Sequence, residues 1–327
     1  MTTSWSALPV EHIDAPPRSA RGLAVLVPCR NEAQSIGAVV RDFRAALPSS
    51  TIYVYDNGST DATSAIATRA GAIVRREPRL GKGNVMRRMF ADIDADLYVV
   101  VDGDGTYEAA SVRRMVDLLM DEHLDMVVGA RRPIDGAPDA FRRGHTVGNR
   151  LFTRTGRFLF GPGFTDLFSG FRVLSRRFVK SFPLTSSGFE IETEITVHAV
   201  ELGAAHAEIE TPYGCRSGAS TSKLRTYRDG MRILGTALAL FKDLRPLRFF
   251  GVLFALCTVT AVALGAPVVA EYARTGLVLR FPTAILAAAL QTLGVIFLTA
   301  GIILESVSRA RREARKLAYL AMPSPWR

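Results

Sequence analysis

Asp102 and Asp104 are separated by one glycine in Asp102-Gly103-Asp104-Gly105-Thr106, directly after the apolar run Leu97 to Val101. Two carboxylates at i and i+2 on a turning loop reach one point, and without a cation they would repel. Oxygen-only ligands of this kind suit Mg²⁺ or Mn²⁺, which keep waters and bridge to substrate phosphates. A second turn, Gly81-Lys82-Gly83-Asn84, opens a helical stretch, and a cation between glycines at a helix N-terminus suits a phosphate. Glu32 ends Pro28-Cys29-Arg30-Asn31-Glu32, and Asp56 begins Asp56-Asn57-Gly58-Ser59-Thr60-Asp61. Both carboxylates can accept hydrogen bonds from the N–H and hydroxyl groups of a nucleoside, whereas Asp61 is expected to cap a helix. The P-loop pattern is absent and Gly103 to Glu108 fails the dinucleotide pattern at its third glycine, so ATPase and dehydrogenase readings lose their support.

Such turns need a scaffold that brings them to one place. Short apolar runs at 23–28, 51–55, 72–74, 97–101 and 125–129 alternate with helical stretches. This rhythm predicts an α/β fold with right-handed crossovers, a mostly parallel sheet and helices on both faces. Ligands then bind just beyond the carboxyl ends of the strands, where all these turns fall.

The 327 residues are 48% hydrophobic and 22% charged, too apolar for a disordered chain. Lys and Arg outnumber Asp and Glu by 41 to 31, a net charge of +10, so an anionic partner is expected. Cys29, Cys215 and Cys257 lie far apart and form no CxxC pair, which argues against a disulfide scaffold or zinc finger. Phe249 to Ala270 and Phe281 to Leu304 carry no charge. At about 1.5 Å per residue these runs reach about 33 and about 36 Å, enough to cross a hydrocarbon core of roughly 30 Å. They predict a transmembrane hairpin, with Gln291 facing the partner helix. Lys242, Arg245 and Arg248 precede the first span, and Arg309, Arg311, Arg312, Arg315 and Lys316 follow the second. This asymmetry predicts an integral protein of the cytoplasmic membrane with its catalytic domain and both termini cytoplasmic. The basic excess gathers beside the spans, so the anionic partner is the lipid bilayer and not nucleic acid.

The order of Pro28-Cys29-Arg30-Asn31-Glu32, Tyr55-Asp56-Asn57-Gly58-Ser59-Thr60-Asp61, Gly81-Lys82-Gly83-Asn84 and Val101-Asp102-Gly103-Asp104-Gly105-Thr106 resembles the family 2 glycosyltransferases of GT-A fold. The later segments Thr165 to Arg172, Gly188-Phe189-Glu190-Ile191-Glu192 and Ser222-Lys223-Leu224, followed by two spans, are similar to the polyprenyl-phosphate hexose synthases, the dolichol-phosphate mannose synthase group. The resemblance covers about Leu23 to Leu304. It implies a GT-A (Rossmann-like) sheet followed by the helix hairpin. Pro28, Arg30, Glu32, Asp56, Lys82 and Asp102 match donor-binding positions, and Asp102 and Asp104 match the DxD pair on the metal and diphosphate. Arg131, Arg172, Arg216 and Lys223 match cations near the donor and acceptor phosphates. Gly105-Thr106 stands where many relatives have Leu-Gln, and Asn57 replaces the second Asp of the common DDGS form. On the helix that follows Phe189, Glu190 and Glu194 share a face, and one of them is expected to orient an arginine.

The implied reaction moves a hexose from a nucleotide sugar, GDP-mannose or UDP-glucose, to polyprenyl phosphate. A phosphate monoester with a second pKa near about 6 is largely dianionic at cytoplasmic pH and needs no general base. That agrees with a structural reading of His12, His123, His145, His198 and His206. A polysaccharide- or protein-glycan-directed enzyme of the same fold and a non-catalytic sugar-nucleotide-binding membrane subunit are the alternatives, and a homo-oligomer stays open. The expected organisation is a tail over 1–22, a catalytic domain over 23–223, an amphipathic interfacial segment over 224–246, a helix pair over 247–304 with spans 249–270 and 281–304, and a basic cytoplasmic tail over 305–327. The stretch 141–160, which mixes aromatics with arginines, is a second candidate for the headgroup region.

Overall fold

The computed structural model describes residues 22–133, 165–166, 168–184, 191–214, 241–242 and 245–324. β1 (Leu23–Cys29), β2 (Thr51–Asp56), β3 (Ile73–Arg76), β4 (Leu97–Val100), β5 (Met126–Pro133), β6 (Arg172–Ser175) and β7 (His206–Tyr213) form one sheet in the order β3-β2-β1-β4-β6-β5-β7. β4 is buried along its whole length and β1 along most of it, as strands covered on both faces must be.

α1 (Ile36–Ala46), α2 (Thr63–Arg69) and α4 (Ser111–Asp121) cover one face, while α3 (Lys82–Asp92), α5 (Arg176–Ser181) and α6 (Ile191–Leu202) cover the other. In α1 the buried Ile36, Val39, Val40 and Phe43 recur at helical spacing and meet Val25 and Val27 of β1. Val85, Met86, Met89 and Phe90 of α3 do the same on the opposite face.

Two features of the sheet place the chemistry. β1 lies between β2 and β4, so the chain leaves it in opposite directions and a crevice opens at the carboxyl ends of β1 and β4. β6 runs antiparallel to both β4 and β5, with Arg172 opposite Val100 and Ser175 opposite Leu97. The segment that enters β6 is therefore delivered to the same carboxyl edge. Neither β6 nor β7 is among the runs expected from sequence. β6 is only four residues long, and β7 (His206-Ala-Glu-Ile-Glu-Thr-Pro-Tyr213) carries too few large apolar residues to stand out.

α7 (Pro246–Thr275) and α8 (Phe281–Ala321) pack together as a hairpin. In the most apolar window of each helix only 11% of residues are buried, and Val252, Leu256, Val259, Ile296 and Ile303 are exposed. A core helix would hide those side chains; apolar surface of this extent suits lipid. Gln291 is half-buried. The basic segment from 305, expected as a tail, is a continuation of α8 as far as Ala321, because no helix breaker interrupts it. The rest of the expected 1–22 tail before Gly22, the 141–160 stretch and most of 224–246 lie outside the described residues.

Tyr98 tests the packing of the sheet. Its fully buried hydroxyl donates to the Ile93 carbonyl at 3.0 Å and accepts from the Ala95 N–H at 3.0 Å. Tyr98→Phe strands the buried Ala95 N–H, while the Ile93 carbonyl keeps its bond from Lys180 at 2.7 Å, and is expected to cost about 1–3 kcal/mol in denaturant unfolding of the detergent-solubilised chain. An unchanged midpoint would show that the hydroxyl is dispensable.

Candidate functional site

The loop after β1 and the loop after β2 are stitched together before either can meet a ligand. Asn31, at a φ of 57°, donates its N–H to Ser59 Oγ at 2.9 Å and accepts the Thr60 N–H at 2.8 Å. Glu32 N–H donates to Thr63 Oγ1 at 2.9 Å, and Ala33 N–H donates to Asp61 Oδ2 at 3.1 Å. Asp61 also accepts the Thr63 N–H at 3.0 Å, so it does serve the start of α2 while joining the two loops.

Asp56, at the end of β2, is 7% exposed. Its oxygens accept from Ser59 N–H at 2.8 Å and Ser64 Oγ at 2.6 Å. Burial opposes its charge, but these hydrogen bonds and Arg76 outweigh that and hold its carboxyl below the ordinary range. Asn57 donates to the carbonyls of Glu77 and Arg79 at 3.0 and 2.8 Å and accepts the Gly81 N–H at 2.7 Å. A carboxylate could not donate the first two bonds, so Asn at this position clamps the turn that leads to Lys82.

Lys82, the first residue of α3, carries its ammonium 2.5 Å from Asp102 Oδ1 and 2.5 Å from Glu192 Oε1. Burial would strip its proton, but the two carboxylates outweigh that and keep it charged. Asp104 is 5% exposed and accepts from Thr106 Oγ1 at 2.6 Å and Thr106 N–H at 3.2 Å. Gly103 between the two aspartates donates no space: a Cβ there would stand 2.3 Å from Cys29 Sγ. A Cβ on Gly170 would stand 2.4 Å from Asp102 Oδ2, so the segment entering β6 presses directly on the acidic turn. The Cys29 thiol beneath it is pushed well up by burial and by the carboxylates of Glu32, Asp102, Asp56 and Asp104.

On the far side of the crevice Arg131 forms a two-pronged pair with Asp166, Nε to Oδ2 at 2.7 Å and Nη2 to Oδ1 at 2.8 Å. Its guanidinium also lies 5.5 Å from the Tyr213 ring centre. Burial of Asp166 favours the neutral acid, but the Arg131 hydrogen bonds and charge win and hold its carboxyl below the usual range. Glu208 of β7 anchors this segment by accepting the Thr165 N–H at 2.8 Å. Tyr107 accepts the Gly170 N–H at 2.9 Å and packs edge-on against Tyr213.

The structure thus gathers Glu32, Asp56, Lys82, Asp102, Asp104 and Arg131 at the carboxyl edge, with Pro28 half-buried in β1 and Arg30 exposed just beyond it. It does not bring Arg172 to that surface. Arg172 is 1% exposed and points into the core, donating to the Ser169 carbonyl at 3.0 Å and Thr196 Oγ1 at 2.9 Å. The antiparallel run of β6 turns this side chain beneath the crevice, where it supports the site from below. Arg216, Lys223 and Glu190 lie outside the described residues. Of the described glutamates of α6, Glu192 pairs with Lys82 in the site. Asp166, Glu192, Tyr107 and Tyr213 were not singled out from sequence; Asp166 and Glu192 stood inside quoted motifs but gave no sign of their partners. His198 is a core residue buried between Phe178 and Phe182, and burial, with the Arg315 charge, pushes its pKa down to about 3.

No three His, Cys, Asp or Glu side chains converge on a metal position among the described residues. The donor set still fits Mg²⁺ or Mn²⁺, because such ions take one or two carboxylates and complete their shell with water and substrate phosphate. Asp102 and Asp104 are the two carboxylates of the acidic turn that would hold it.

Comparison with known proteins agrees with this architecture. The family model described as Glycosyl transferase family 2 matches residues 24–182. The chain is 36% identical over 251 residues to glycosyltransferase AglJ of Haloferax volcanii, covering 76% of this chain and 82% of the relative. It is 29% identical over 212 residues to a dolichyl-phosphate hexose transferase of the same organism, covering 64% of this chain and 90% of that one. Among solved structures, glucosyl-3-phosphoglycerate synthase from Mycobacterium tuberculosis in complex with Mn²⁺, uridine diphosphate and glucosyl-3-phosphoglycerate superposes with a TM-score of 0.53. That match is 22% identical and covers 68% of this chain and 79% of the synthase, a likeness of fold. The sheet, the acidic turn at its switch point and these relatives define a glycosyltransferase of GT-A fold. The chain belongs to glycosyl transferase family 2.

The Arg131–Asp166 pair makes a pH prediction. A carboxyl held low by its partner contributes stability that is present above its unfolded pKa near about 3.9 and is lost as pH falls through the lower folded value. Wild-type melting temperature should therefore fall on acidification below about pH 4. Asp166→Asn should cost about 3 kcal/mol at neutral pH and show a shallower acid loss. Parallel acid limbs in thermal melts would remove the pair as a stabilising contact.

Proposed function

We propose that this chain transfers a hexose from a nucleotide sugar, GDP-mannose or UDP-glucose, to a polyprenyl phosphate with inversion at the anomeric carbon. The observation that carries the reading is the conjunction of the Asp102-Gly103-Asp104 turn at the sheet's switch point with two exposed apolar helices on one chain. The dolichyl-phosphate hexose transferase among its relatives supports a lipid acceptor.

In this reading Glu32 and Asp56 hold the nucleoside, with Pro28 and Arg30 beside it. Lys82 fixes Asp102, and Asp104 faces the diphosphate. A Mg²⁺ or Mn²⁺ ion held by Asp104 and Asp102 would supply charge neutralisation for the departing nucleoside diphosphate. A phosphate oxygen of the acceptor attacks the anomeric carbon as the bond to the diphosphate oxygen breaks, and the leaving group takes that electron pair. No proton has to be removed from a dianionic phosphate, which agrees with a site in which His198 is sequestered in the core. Arg131, fixed by Asp166, and the basic Arg216 and Lys223 of the later loop would orient the two phosphates. The cationic flanks of the hairpin support a cytoplasmic side for the catalytic domain and both termini.

Purified chain incubated with undecaprenyl phosphate, Mg²⁺ or Mn²⁺ and a panel of radiolabelled sugar nucleotides should yield a labelled lipid from one donor. No labelled lipid from any donor would favour a binding subunit instead. Asp104→Asn should lower turnover at least ~100-fold without altering expression or melting temperature, in line with loss of one transition-state electrostatic contact. Retained turnover would remove the role assigned to Asp104.

A further inference from the structure

Past its apolar part α8 runs on from Glu305 to Ala321 and lands on the catalytic domain. Tyr319 donates its hydroxyl to Asp125 Oδ2 at 2.5 Å. Asp125 is fully buried and also receives Arg177 Nε at 2.7 Å, Arg177 Nη2 at 2.9 Å and Ser175 Oγ at 2.7 Å. The Arg177 guanidinium lies 4.6 Å from the Tyr319 ring centre. Four residues earlier on the same helix, Arg315 pairs with Glu201 at the end of α6. Tyr319 further packs against the core cluster formed with α3, α5 and α6. A buried aspartate satisfied in part by a helix from the membrane region is a specific joint, because removing a donor leaves charge exposed to low dielectric.

The position of this joint is informative. Asp125 directly precedes β5, Arg177 lies just after β6, which runs backwards, and Glu201 lies at the end of α6 just before β7. All three mark the edge of the sheet opposite to Asp102, Asp104 and Arg131. The rise along α8 from Leu304, the last residue of the uncharged run, to Tyr319 is about 22 Å at about 1.5 Å per residue. The strand path from Asp125 back to Arg131 is about 20 Å at about 3.3 Å per residue. The two lengths are nearly equal.

We propose that the 305–321 extension of α8 is a fixed-length stalk that holds the catalytic domain by its distal edge, so that the strands run back toward the bilayer and their carboxyl ends meet a phosphate at headgroup level. The inference rests on the lipid-acceptor reading given above. Tyr319, Arg315, Asp125 and Glu201 are then positioning residues: they touch no substrate and set the height at which the site works. The acceptor class this geometry selects is a phosphate carried by a membrane-embedded chain, and a freely soluble phosphate gains nothing from it.

The test compares two acceptors for the full chain. One is undecaprenyl phosphate in vesicles of phosphatidylcholine and phosphatidylglycerol; the other is a short-chain polyprenyl phosphate dissolved in detergent. A seven-residue helical insertion between Ser308 and Arg309 lengthens the stalk by about 10 Å and turns its far face by only ~20°. It should lower transfer to the vesicle-borne lipid at least ~10-fold while leaving KM for the donor and transfer to the soluble acceptor unchanged. Tyr319→Phe, which keeps the ring and loses the hydrogen bond, should show the same selectivity in smaller measure. Undiminished vesicle transfer by the insertion variant overturns the stalk, and so does an equal loss on both acceptors by either variant. If wild-type chain transfers to neither acceptor while still binding sugar nucleotide, the lipid-acceptor reading itself falls and the stalk with it.

Discussion

One ammonium group ties the carboxyl edge together. Lys82 brings α3, the turn after β4 and the first turn of α6 to a single point, since Asp102 and Glu192 each lie 2.5 Å from its Nζ. Without that cation two carboxylates would face each other in a space only about one-tenth exposed on the lysine and glutamate sides. Much of the nearby detail serves to deliver this residue. Asn57 holds the turn before it, Gly103 lets the acidic turn settle against Cys29, and Gly170 lets the strand-entry segment close over Asp102. The arrangement spends one oxygen of Asp102 on an ion pair that joins three elements.

The two edges of the sheet carry different work. At the carboxyl edge, polar loops hold charges whose partners lie on other elements, as Arg131 and Asp166 do across the entry to β6. At the amino edge, Asp94, Asp125 and Glu201 take arginines and a tyrosine in contacts that secure the domain. α6 links the edges, with Glu192 near one end and Glu201 near the other. A helix with both ends pinned by ion pairs transmits position well because it has little freedom to tilt.

Much of this was legible in the chain itself. Five of the six parallel strands announce themselves as short apolar runs, and the acidic turn, Asp56 and Lys82 fall at their ends because crossover topology leaves no other place for them. Local pattern does not encode partners. Lys82 reads as a phosphate ligand until Glu192, distant in sequence, is seen beside it. Arg172 matches a phosphate-directed cation by family resemblance, yet a four-residue antiparallel strand turns it inward. The basic segment after residue 304 reads as a tail because charge is its most obvious property; only its unbroken helical sequence hints that it is structural. Short strands and reversed direction are set by tertiary pairing, which one-dimensional periodicity does not report.

The connection between α7 and α8 is only Gly276 to Arg280, and the two helices meet through small and apolar side chains such as Ala261, Val268 and Ala287. A pair of rods in direct contact encloses no lumen and offers no polar route through the hydrocarbon. On the lipid-acceptor reading proposed above, a sugar joined to a lipid head on one face of a bilayer would stay in that leaflet. Carrying it to the opposite leaflet would then be a physical task separate from joining it.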